Sequence, residues 1–174
     1  MARSHHGFSL LELVVVIIVA GLVGTAFLER LHFYQELAEK AAVESTLRLI
    51  KTGLQMRLAE LIVANRQGEA RKLAEQDPTE WYRPANYGGA YRSPVEPGNW
   101  YFDTQRAQLV YVVNLGERLT IENAGGPREL RFQARLITDR LNVNGTVVDS
   151  VTGVVVLPVT QFRWSHAKPE PILA

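Results

Sequence analysis

The chain has 174 residues, a formal net charge of +1, 47% hydrophobic residues and no cysteine. A charge this close to zero implies neither a polyanionic nor a polycationic partner, and the missing cysteines exclude disulfides, thiolate nucleophiles and thiolate metal sites. Setting aside the first thirty or so residues leaves roughly 145, enough for one soluble domain with its own core.

The chain starts with a short, weakly basic stretch holding Arg3, His5 and His6, followed by an apolar run of 21 residues from Phe8 to Leu28. That length suits a helix across a bilayer core, which needs about 20 residues. The basic residues precede the run, so the first residues should stay cytoplasmic and the rest should face outward. An ordinary signal peptidase would have to cut near Gly24-Thr25-Ala26 and so split a helical sequence that continues through Phe27 to Arg30. Retention of the run as an anchor follows. Its one carboxylate is Glu12, and no Lys or Arg lies within the run. An acid in a membrane costs roughly 2.5 to 3.5 kcal/mol on insertion scales, so Glu12 needs a partner charge from elsewhere.

From Glu29 to Gln67 there is no Pro and a single Gly, Gly53, and good helix formers dominate. The pattern predicts one helix from Phe8 to about Arg66, roughly 59 residues and about 90 Å long. Glu36 with Lys40, and Glu44 with Arg48, are spaced as i,i+4 pairs. Leu47, Ile50, Leu54, Leu58 and Leu61 form a stripe of large side chains that suits a sheet core. Ala38, Ala42, Ser45, Leu49, Thr52, Met56, Ala59 and Val63 form a second stripe on the other side, mostly small, which suits close approach by other helices. The alternative is coincidence, since Ala is common in any helix. Lys40, Glu44, Lys51 and Gln55 separate the stripes on one flank, and Glu39, Arg57 and Glu60 on the other.

Gly68 marks an end or a bend, Glu69 to Gln76 suit one or two more helical turns, and Asp77-Pro78 closes them. Thr79 to Gly98 reads as a loop rich in Pro and Gly. Within it, Trp81, Arg83, Tyr91 and Arg92 interleave rings with guanidinium groups, as a nucleic-acid or other surface-binding loop would. The same rings would equally pack the loop onto the helix and sheet, and no basic stripe accompanies them. Beyond Gly98 the period changes to two. Strands are expected at Trp100 to Asp103, Gln108 to Asn114, Leu130 to Leu136, Val154 to Leu157 and Phe162 to Trp164. Asn144-Gly145 is a two-residue hairpin turn signal. The result is an α+β fold, a long N-terminal helix packed on a C-terminal antiparallel sheet.

The sequence has no nucleotide-binding glycine motif, no nucleophile elbow and no His pair with metalloprotease spacing. None of His5, His6, His32 and His166 falls in a recognised metal-binding spacing, and His5 and His6 sit on a terminus with no supporting shell. Asn142, Asn144 and Asp149 carry oxygen near a turn but match no established calcium loop. No enzyme, cofactor or metal is expected.

The stretch Gly7-Phe8-Ser9-Leu10-Leu11-Glu12 resembles the processing site of type IV prepilins and of the pseudopilins of type II secretion. The resemblance implies a leader at 1–7, cleavage by prepilin peptidase between Gly7 and Phe8, and N-methylation of Phe8. Residues 8–30 would be the transmembrane and filament-core helix, 31–76 an amphipathic helix and its extension, 77–98 a connection, and 99–174 the sheet region. It further implies a subunit held in the inner membrane with its domain in the periplasm, then drawn into a pilus or pseudopilus. The partners would be other pilin or pseudopilin subunits and an inner-membrane assembly platform. Glu12 would pair with the Phe8 amine of a neighbouring subunit, offsetting two charges that are each costly in lipid. Many major pilins have a Pro in the membrane helix and a C-terminal disulfide. This chain has no Pro before Pro78 and no Cys, which favours a minor pilin or a pseudopilin. Two other roles fit the same residues. One is a single-pass protein with a periplasmic ligand-binding domain and a dimerising stalk. The other is a filament subunit that binds DNA or a surface through the Trp81 to Arg92 loop.

Overall fold

A computed structural model describes residues 9–121, 128–143 and 146–165. Helix α1 runs from Leu10 to Val63, 54 residues without interruption, or about 81 Å at the standard rise. Ser9 caps its start: the side chain accepts a hydrogen bond from the Glu12 N–H at 3.2 Å, satisfying one of the donors that a helix N-terminus leaves over. The helix stops at Val63, earlier than Gly68, and the chain turns off at Asn65. Asn65 adopts the left-handed conformation (φ 56), and the N–H groups of Asn65 and Arg66 turn back to the carbonyls of Ile62 and Leu61. Asn tolerates this conformation, and the paired bonds are those of a Schellman end. Gly68 instead lies within a 3-10 turn, Gln67–Arg71, which leads into the short α2, Lys72–Glu75. Asp77-Pro78 opens a further turn, Pro78–Glu80, as well as ending the helical segment. The Asp77 carboxylate accepts from Thr79 N at 2.9 Å and from Thr79 Oγ1 at 2.8 Å.

The stretch read as loop contains a strand, β1 (Tyr87–Ala90). It pairs parallel with β2 (Trp100–Asp103), so the sheet is mixed, with one parallel edge. The sequence hides β1 because Gly88 and Gly89 have no strand propensity. Gly88 is there for space: a Cβ would lie 2.4 Å from the Tyr101 ring. The other strands are β3 (Gln108–Val112), β4 (Leu119–Ile121), β5 (Glu129–Val143), β6 (Thr146–Pro158) and β7 (Phe162–Trp164). The five-stranded sheet has the order β1-β2-β3-β5-β6, and β4 and β7 form a separate two-stranded sheet. Pairing of Val143 with Thr146 leaves room for a two-residue turn. Asn144 and Gly145 themselves lie outside the described residues, as do Gly7, Phe8, His5, His6 and His166.

The core lies between α1 and the inner face of the sheet. Ile50, Leu54, Leu58 and Leu61 are buried against Trp100, Leu109, Leu130, Phe132 and Val154, with Leu47 packed at the margin. The large-residue stripe therefore faces the sheet. On the outer face, Tyr101, Val110 and Val112 are buried beneath Tyr91 and Val95. That shields the β2–β3 half of this face, while Leu157 and Val159 beyond it stay exposed.

Candidate functional site

Helix α1 divides by what touches it. Every side chain described from Leu10 to His32 is exposed within the chain. The helix is long and apolar enough at this end to cross a membrane. Glu12 lies in the first turn, where the positive end of the helix dipole favours a carboxylate. Among the described residues it has no ion-pair partner.

Residues 36–40 form a polar collar. Glu36 is only 4% exposed. Its carboxylate accepts from the Arg118 N–H at 2.8 Å, from Arg118 Nη1 at 2.7 Å and from Trp164 Nε1 at 3.0 Å. Glu39 accepts from the Tyr111 hydroxyl at 2.8 Å and from the N–H groups of Asn114 and Leu115, each at 2.7 Å. Burial, aided by the Glu39 carboxylate, raises the Tyr111 pKa well above the usual phenol range. Lys40 donates to the Trp164 carbonyl at 3.0 Å and stands 3.9 Å from Glu44. The expected Glu36–Lys40 pair is thus replaced by tertiary partners, because Glu36 faces the sheet and not the solvent. The guanidinium of Arg118 also lies 4.7 Å from the centre of the Phe33 ring, a cation–π contact.

A sequence signal for the collar existed. Glu36, Lys40, Val43, Leu47, Ile50 and Leu54 follow spacings of 4, 3, 4, 3 and 4, so Glu36 and Lys40 continue the core stripe downward. A charged group on a core stripe calls for a buried partner. The sequence does not reveal that the partners are Arg118 and Trp164.

From the collar upward, the second stripe is bare. Ala38, Ala42, Ser45, Leu49, Thr52, Met56, Ala59 and Val63 are all exposed, with Met56 at 64% and Val63 at 88%. Two apolar surfaces of α1 therefore lack cover within the chain: the lower half all round, and one side of the upper half.

The aromatic loop turns its rings inward. Trp81 packs against the core and lies over Gly53, where an added Cβ would be 3.1 Å from Trp81 atoms. The Tyr91 hydroxyl donates to Glu129, and its ring lies under the Arg131 guanidinium at 5.0 Å. Arg131 reaches Asp103 at 3.0 Å and Glu129 at 2.9 Å, closing a polar cluster on the outer face. Burial pushes the Asp103 pKa upward, but Arg131 and the N–H groups of Arg106 and Gln105 outweigh it and hold it below the usual range. Tyr87 donates to Asp77, and burial together with this bond pushes its pKa up to about 12. Arg83 sits 5.3 Å from the Tyr87 ring centre. Arg83 and Arg92 remain exposed, so of the four loop residues considered for surface binding only the two arginines reach out fully. Asp149 pairs with Arg140 at 3.7 Å.

No curated protein and no solved structure matches the chain. Residues 2–28 match the family described as prokaryotic N-terminal methylation motif, so at the start of its uncovered helix the chain carries the signature of type IV pilins and pseudopilins.

Proposed function

We propose that the protein is a filament subunit, a minor pilin or a pseudopilin, of a type IV pilus or type II secretion pseudopilus. One observation carries the reading: the methylation motif at residues 2–28 runs into a 54-residue helix, and none of the described side chains in the helix's first twenty-odd residues is buried by the rest of the chain. A helix apolar all round needs lipid or other helices as its solvent. Before assembly the bilayer serves. After assembly, packed helices of other subunits take its place, and the bare upper stripe extends that contact outward.

In this reading prepilin peptidase cuts between Gly7 and Phe8, Phe8 is N-methylated, and the platform in the inner membrane draws the subunit into the filament. Glu12 of one subunit meets the Phe8 amine of the next. Mass spectrometry of protein from its native host tests the processing. A chain beginning at N-methyl-Phe8 is expected; an intact Met1 terminus would overturn the proposal. Glu12→Ala should insert normally but fail to enter filaments, and normal assembly of that variant would refute the pairing.

A further inference from the structure

Strand β3 begins at Gln108, and its pairing with β5 ends where Leu109 stands opposite Phe132, but β5 continues to Val143. Among the described residues, nothing pairs with β5 on that side from Gln133 onward; only β6 runs along its other edge. The space where β3 would have continued is a cleft of about 470 Å³ lined by Ala107, Gln133, Ala134, Arg135, Leu136 and residues of the α2 segment. Four consecutive strand residues can line one cavity only if it meets the strand edge-on, since successive side chains point to opposite faces. The cleft therefore exposes main-chain donors and acceptors. A second cleft of about 600 Å³ continues past Leu136 to Thr138 and Val151, with Arg71 and Leu136 shared between the two.

Natural proteins protect such edges with bulges, prolines or charge. Here β5 has no Pro, and the one register shift lies beyond the first cleft, between Ile137 and Thr138. The charges lining the first cleft are Arg71 from the helical side and Arg135 from the strand, both exposed and without an ion pair among the described residues, against the one carboxylate of Glu75; Asp149, which lines only the second cleft, is paired with Arg140. The excess is positive. An open edge accepts an extended chain, and guanidinium groups on either side of it select carboxylates.

We propose that the β5 edge from Gln133 to Leu136 is a docking site for an extended, acid-bearing peptide segment of another protein. The segment adds as a strand in line with β3 and places carboxylates toward Arg135 on one face and Arg71 on the other. This site is separate from the helix surfaces and does not rest on the filament reading.

The test uses the full chain in lipid nanodiscs and a fluorescein-labelled peptide, Val-Glu-Val-Asp-Val-Thr, followed by anisotropy. Saturable binding is expected, with slowed amide exchange at 133–136. The same peptide N-methylated at alternate amides should bind at least tenfold more weakly, as should Val-Lys-Val-Lys-Val-Thr. Arg71→Glu with Arg135→Glu should reverse the order of the acidic and basic peptides. The proposal is overturned if the acidic peptide fails to saturate at millimolar concentration, if N-methylation makes no difference, or if the double variant keeps the original preference. Protection of the same amides in a concentration-dependent dimer without peptide would assign the edge to a second copy and overturn it too.

Discussion

A carboxylate on the core side of a helix is stable only when donors replace its hydration. Glu36 has three of them, two from Arg118 and one from Trp164. Removing it leaves the Arg118 guanidinium, itself mostly buried, without a counter-charge. Glu36→Ala should therefore destabilise the domain by about 3 to 5 kcal/mol, the scale for breaking a buried pair. Urea unfolding in detergent reads this, followed by tryptophan fluorescence, to which Trp100 in the core and Trp164 in the collar both contribute. The tyrosines give a second signature. Tyr87 is raised to about 12 and Tyr111 is also raised, so the unfolded chain loses these protons first as pH climbs. Their contribution is fully present below about pH 10, the unfolded value. Stability should fall from there through about pH 12, together with the tyrosinate absorbance of unfolding. Tyr87→Phe should blunt the lower part of that fall.

Helix α1 shows what a sequence reveals about an element and what it withholds. Its length, its large-residue stripe and its second stripe follow from period and composition. So do β2, β3 and the strict alternation of β5. The parallel strand β1 was not legible, because Gly88 answers to the Tyr101 ring and not to strand propensity. Strand β4 has only three residues and exists through its pairing with β7. The collar joins Glu36 to Arg118, 82 positions away, a separation that a local pattern cannot bridge. Of the methylation-motif residues, Gly7, Phe8 and Glu12 stood out by type and order, and in the proposed filament the solvation of Glu12 would come from neighbouring subunits. The two stripes make contrasting predictions. Ile50→Ala should cost about 2 to 5 kcal/mol, since Ile50 is fully buried. Met56→Ser should leave the unfolding midpoint within about 0.5 kcal/mol. In the native host, however, it should lower incorporation of the subunit into filaments, scored by subunit abundance in sheared fractions.

At the scale of the molecule, the domain draws no burial from the lower helix. No described side chain from Leu10 to His32 is buried, so a chain beginning at His32 should fold alone. Its denaturation midpoint should lie within about 0.5 kcal/mol of the full chain in detergent, with the same far-ultraviolet sheet signal. Loss of the fold in that shortened chain would show that the lower helix supports the domain. The collar also has a mechanical consequence. Glu36 is gripped by Arg118, which follows β3, and by Trp164, near the end of the described chain. A pull along α1 toward the membrane loads both grips at once, with the apolar stripe above them sliding in shear. Contacts loaded together share the force and fail together, whereas contacts peeled in turn fail singly. A load applied along α1 should therefore pass into the domain by shear and not by unzipping.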